Sequence, residues 1–227
     1  MRVSRAVLLM AALLVNSSTS CTTRPPPSID ASLPSIDAQL ADLRPFLRGY
    51  PPNISGPSEK RQIEDRWHAT EAELLALEQS DPDDPRVLIR LGELYRFGHN
   101  LDAPGAADRC VSTLDRLIEL DPTNVDAHLT LGILYTDAGP RWAGEGENHL
   151  RRAIELAAPS PLPRGWRALT FAYYYQAKFG DAVAAADQAL LLEPDDPGLR
   201  KLREQAAAAA ANGANKLAPV GRIRPGN

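Results

Sequence analysis

The pentapeptide L-G-x-L-Y stands at 91–95 and again at 131–135, and L-T-F-A-Y at 169–173 keeps the same spacing of large and small residues. Each copy is followed by a second helical stretch, CVSTLDRLIELDP, GENHLRRAIELAAP or AVAAADQALLLEP, that runs to Pro122, Pro159 or Pro194. Two helices in a period of about 35–40 residues cannot bury their apolar faces within one unit. The units must stack on one another, so the pattern predicts an all-α chain built as a solenoid.

The spacing has a physical cause. A Gly or Ala at one point on each helix lets neighbouring axes approach closely, while Leu and Tyr one turn away fill the remaining volume. The terminal prolines lack a backbone donor and stop the second helix, and the Asp and Asn beside them suit a turn and the next N-cap.

These residues resemble the tetratricopeptide repeat (TPR) family, whose pattern runs W-x2-L-G-x2-Y, then A-x3-F-x2-A, then P. The third unit matches best, with Trp166, Leu169, Tyr173, Ala182, Ala189 and Pro194. The other two carry Leu91, Gly92 and Tyr95, and Leu131, Gly132 and Tyr135. The resemblance implies a right-handed α-α superhelix with units at 85–124, 125–160 and 161–196. The first unit departs from it, with about six extra residues in RFGHNLDAPGA and with Leu117 where the family prefers Ala, so looser packing is expected there.

Before the repeats, Ile36, Leu40, Leu43 and Leu47 predict a helix over 35–48 capped by Ser35, and Ile63, Trp67, Leu74 and Leu77 predict one over 58–80. Together, within 35–84, they read as one degenerate repeat. Leu199 and Leu202 predict a capping helix at 197–212, and the aperiodic tail 213–227 is expected to be disordered.

Residues 1–20 have a basic start, Arg2 and Arg5, then an apolar run from Ala6 to Val15, and read as an export signal. Cys21 resembles the lipidated cysteine of a bacterial lipoprotein, with Ser20 and Thr19 fitting the lipobox and Ser18 departing from it. S-T-S also fits ordinary signal cleavage, which would leave a free Cys21. The Pro-rich stretch of 21–34 suits a spacer between a membrane anchor and the repeats. Thr22 in place of Asp favours the outer membrane in the lipoprotein pathway of some bacteria. The formal charge of -4 gives no electrostatic reason to expect nucleic acid as a partner.

No G-x-S-x-G, H-E-x-x-H, P-loop or C-x-x-C occurs, and the expectation is a protein without catalytic residues, cofactor or metal. His149, beside Glu145 and Glu147, falls at a helix start where acids are favoured for other reasons. Cys110 falls at a small, buried position of the repeat and reads as a small hydrophobe, unpaired with Cys21.

In the family the first helix of each repeat lines a concave face that holds a peptide or partner helix. By position the groove residues would be Ile89, Glu93 and Arg96, then Leu129, Ile133 and Thr136, then Arg167, Phe171 and Tyr174. The Lys/Asn clamp for acidic C-termini is absent, and the apolar content suits an amphipathic segment of another envelope protein. The expected function is a lipid-anchored adaptor on the periplasmic side of a bacterial envelope. Two alternatives stay open: an accessory lipoprotein binding a small ligand at Phe171, Tyr174 and Tyr175 for a solute transporter, and a groove filled by this chain's own N-terminal helix or tail.

Overall fold

A computed structural model describes residues 28–213. The expected signal peptide, Cys21 and all of the expected tail except Gly213 lie outside them. Among the described residues the elements are α1 (Ile29–Leu47), α2 (Pro57–Ser80), α3 (Pro85–Asn100), α4 (Ala106–Leu120), α5 (Val125–Asp137), a 3-10 turn at Pro140–Trp142, α6 (Ala143–Ala157), α7 (Pro163–Tyr175), α8 (Phe179–Leu192) and α9 (Pro197–Ala211). Helix starts follow side-chain chemistry. The Asp84, Asn124 and Asp196 side chains accept hydrogen bonds from backbone N–H groups at the starts of α3, α5 and α9.

Consecutive helices pack in pairs, and the odd-numbered helices also touch one another in sequence, α1 to α3, α3 to α5, α5 to α7 and α7 to α9. No comparable contact joins the even-numbered helices among the described residues. The closely spaced odd row is therefore the inner, concave side of a TPR-like solenoid.

The repeated Gly is the point of nearest approach. A Cβ on Gly92 would stand 2.3 Å from Leu114 Cδ2, and one on Gly132 would stand 2.5 Å from Leu150 Cγ. The paired tyrosines pack over the same joints: Tyr95 is 4% exposed, and the Tyr135 ring stacks on His149 with centroids 5.8 Å apart.

Two expectations are corrected. Helix α1 begins at Ile29, so Ser35 lies inside it and residues 29–34 are helix instead of spacer. Leu33 is buried and Ile29 packs on the core, extending the apolar stripe of Ile36 and Leu40 by more than a turn. That burial outweighs the cost of Pro34 inside the helix, which only forfeits a hydrogen bond near an exposed end.

The insertion in the first unit is not loose. Helix α3 absorbs it by continuing to Asn100, with Phe97 fully buried, and a Cβ on Gly98 would stand 2.7 Å from Trp67 Cζ2. The extra helical turn meets α2, so the inserted residues strengthen the joint between the degenerate pair and the first repeat. Leu117, in place of the family's Ala, is fully buried.

Candidate functional site

Glu93, Ile133 and Phe171 each stand two residues after the repeated Leu on α3, α5 and α7, and all three are partly exposed on the inner row. Their partners differ. Glu93 is held by Arg44 of α1, whose Nη2 donates over 3.0 Å to Glu93 Oε1. Ile133 packs on the cluster shared by the second and third repeats. Phe171 packs against Tyr175 one turn on, with centroids 6.4 Å apart.

The residues four positions earlier do less at the surface than expected. Ile89 is partly buried against the core, and Leu129 is 2% exposed and belongs to the core. Arg167 forms an ion pair with Asp196, the N-cap of α9, and so ties the last repeat to the capping helix.

Arg96, Thr136 and Tyr174 are not wall residues. Arg96 is 1% exposed, with Nη1 donating to the Arg48 carbonyl over 3.3 Å. Thr136 is buried, and its hydroxyl donates to the Gly132 carbonyl over 2.8 Å. Tyr174 turns toward the α7–α8 corner, its ring edge-on to Phe179 at 5.5 Å. A residue one past the repeated Tyr is rotated about 100° from the packing seam. For Thr136 and Tyr174 that direction leads to the outer helix of the same repeat, at Gly146 of α6 and Phe179 of α8.

One position further on, the sequence reading missed Asp137 and gave Tyr175 only to the small-ligand alternative; both are partly exposed, whereas Phe97 at the same register is fully buried. Asp137 Oδ2 lies 3.7 Å from Arg96 Nη1. Around it, Arg96 Nε, Asn100 Oδ1 and Asp137 Oδ2 are buried with no hydrogen-bond partner among the described residues. Burial pushes the Asp137 carboxyl up to about 6, against the pull of Arg96. Burial, followed by the Asp137 charge, also raises the Tyr175 phenol. Their register, two past the repeated Tyr, is the signal that could have located both, although the first repeat puts buried Phe97 there.

The raised Asp137 value has a stability consequence. A carboxyl whose folded-state value exceeds its ordinary one contributes stability that is full below about pH 4 and is lost as pH rises through about 6. Asp137→Asn cannot ionise. Measured by urea unfolding from pH 4 to pH 7, this variant should gain on the wild type by on the order of 1–3 kcal/mol as pH rises.

The Cys110 thiol is buried, donates to the Gly92 carbonyl over 3.2 Å, and is pushed up to about 12 by burial, far from a reactive thiolate. Two depressions lie elsewhere on the surface, the second reaching the end of α3 at Asn100. One is walled by Asn148, Arg151, Arg152 and Glu155 of α6; the other lies near the α1–α2 connection and includes Pro52, Ile54, Lys60 and Leu101.

No protein-family model matches the chain, and no curated protein matches it. Among solved structures it is similar to the crystal structure of a thermophilic TPR protein of Thermus thermophilus, at 20% identity and a TM-score of 0.53, covering 78% of this chain and 93% of that one. The likeness agrees with the helix order, the inner row and the glycine joints in showing a TPR-like all-α solenoid.

Proposed function

We propose that the chain is a non-catalytic adaptor that holds a segment of another protein along its inner row. The observation that carries this reading is the Ile133, Phe171 and Tyr175 strip, where large apolar side chains remain partly exposed on a face otherwise closed by ion pairs. Aromatic side chains in such a position are the type that dominates protein interfaces. With Asp137 beside them, the strip suits an amphipathic segment whose apolar side meets the two rings. The leader-like 1–20 and Cys21 support export and a lipid anchor, which would place the adaptor at the periplasmic face of a bacterial envelope, serving the assembly of an envelope complex.

The test is site-specific crosslinking in intact cells. A photoreactive residue at Ile133 should give a discrete adduct with an envelope protein, and one at Gln188, exposed on α8, should give none. Phe171→Ala with Tyr175→Ala should abolish the Ile133 adduct, since truncation at a hot spot costs about 2 kcal/mol or more. Equal adducts from both positions, or an adduct that survives the double variant, would place the binding surface elsewhere.

A further inference from the structure

His128 of α5 and His149 of α6 meet across the second repeat, with their Nδ1 atoms 3.1 Å apart and ring centroids 5.3 Å apart. The centroid separation exceeds the contact by about the radii of two imidazole rings, so the two nitrogens point head-on at each other. Such a contact holds one hydrogen. His128 is buried, and its Nε2 lies 3.4 Å from the Pro122 carbonyl. With Nε2–H donating to that oxygen, His128 Nδ1 is an acceptor, and the neutral pair is satisfied when His149 Nδ1–H donates to it.

The surroundings and the geometry decide how many protons the pair accepts. Burial first, and His128 second, hold the His149 imidazole below its ordinary value, while Asp115 of α4 and Glu145 of α6 act in the opposite sense. Tyr135 of α5 stacks on the ring, and its phenol, raised by burial, stays neutral. Among the described residues, the other elements packed on α5 and α6, namely α3, α7 and the 3-10 turn, bring no further charge that acts on this ring. A first added proton fits, because it enters at His149 Nε2 and leaves the hydrogen between the rings in place. A second has only His128 Nδ1 to enter. Two N–H bonds aimed at each other across 3.1 Å would bring their hydrogens to roughly 1.1 Å, so two imidazolium rings cannot keep this contact.

We propose that the His128–His149 contact is an acid-operated latch on the second repeat, closed while the pair holds at most one added proton and opened by the second. It spans the same two helices as the joint of Gly132 with Leu150, and α5 also carries Ile133 and Asp137. Acid therefore loosens the repeat at the middle of the inner row, whatever that row holds. In the unfolded chain both rings are protonated below about pH 6.5, whereas the closed pair takes up at least one proton fewer. Its contribution to stability is full above about pH 6.5 and is lost as the pH falls toward about 5. Asp137 acts with the opposite sign, so the latch shows in a comparison of variants and not in the wild type alone.

The experiment uses the full chain. His149→Gln takes up no proton at this position, and its carboxamide donates to His128 Nδ1 or, turned over, accepts from it, so the contact survives acid. Between pH 7 and pH 5 the melting temperature of the wild type should fall by about 3 °C or more beyond the fall in His149→Gln. His68→Gln, which alters an exposed histidine of α2, should follow the wild type. Protection of the α5 and α6 amides, corrected for intrinsic exchange, should drop about tenfold per pH unit below about 6.5 relative to His149→Gln. Ring 15N shifts of the wild type should show the pair holding at most one added proton in the folded chain at pH 5, a readout that stands even if the variant folds poorly. Equal falls in melting temperature, equal amide protection, or two added protons on the pair in a folded chain at pH 5 would each overturn the latch.

Discussion

Trp67→Ala should lower the unfolding free energy by about 3–5 kcal/mol, the largest single-residue loss we expect in the chain. Trp67 is 1% exposed on α2, and its indole N–H donates to the Leu94 carbonyl over 2.7 Å. Its ring abuts Gly98 of α3 and packs near Tyr95, with centroids 6.5 Å apart. Alanine would leave a cavity walled by two helices that are themselves held by α1 and α4, so the site cannot collapse to fill it. Trp67→Phe keeps most of the ring and loses the hydrogen bond, and should cost about 1–3 kcal/mol. Urea midpoints at pH 7 measure both; a loss under about 1 kcal/mol for Trp67→Ala would show that α2 does not dock on α3 in this way.

Gly132→Leu should be nearly as damaging, at or above the upper end of the roughly 1–3 kcal/mol typical of overpacking. The first added carbon already falls 2.5 Å from Leu150 Cγ and 3.0 Å from the Leu150 backbone nitrogen. A side-chain rotation can relieve the former contact, but only a shift of α6 can relieve the latter. Leu150→Ala alone should cost about 2–5 kcal/mol by leaving a void. Combined, the two changes should cost less than their sum, because each supplies part of what the other lacks. Strict additivity in a double-mutant cycle would mean that the two positions do not touch.

The same pair shows why so much of the architecture was legible. A glycine paired with a leucine on the next helix leaves a mark in the sequence whenever it recurs at a fixed period. Pro34 hid the true start of α1, because its local signal is stronger than the long-range burial of Leu33 that overrides it. The insertion of the first repeat read as a place of looser packing because added length alone does not show what the extra residues pack against. In the fold its Gly98 is the small residue that admits Trp67.

The inner row was legible only in part. Glu93, Ile133 and Phe171 follow directly from the register. Arg96 and Thr136 were misplaced because each turns toward a packed element, the end of α1 for Arg96 and Gly146 of α6 for Thr136, and sequence spacing alone does not show that neighbour. The facing of His128 and His149 joins residues of two different helices, and no local pattern marks it.

The solenoid is also unequal along its length. From α1 to α5 one continuous cluster includes Trp67, Tyr95, Phe97 and many leucines, whereas α8 buries chiefly Ala182, Ala185, Ala186 and Ala189. Alanine removes far less apolar surface from water than leucine or tryptophan does, so each C-terminal joint is worth less. In a chain whose units contact only their neighbours, such a gradient becomes a gradient of opening. Amide hydrogens of α8 and α9 should exchange through frequent fraying, while those of α3 and α4 wait for rarer events. Phe171 and Tyr175 sit on α7, between the two regimes. A partner pressed against them would suppress the fraying beyond its own footprint, and its arrival would register as slowed exchange in helices it never touches.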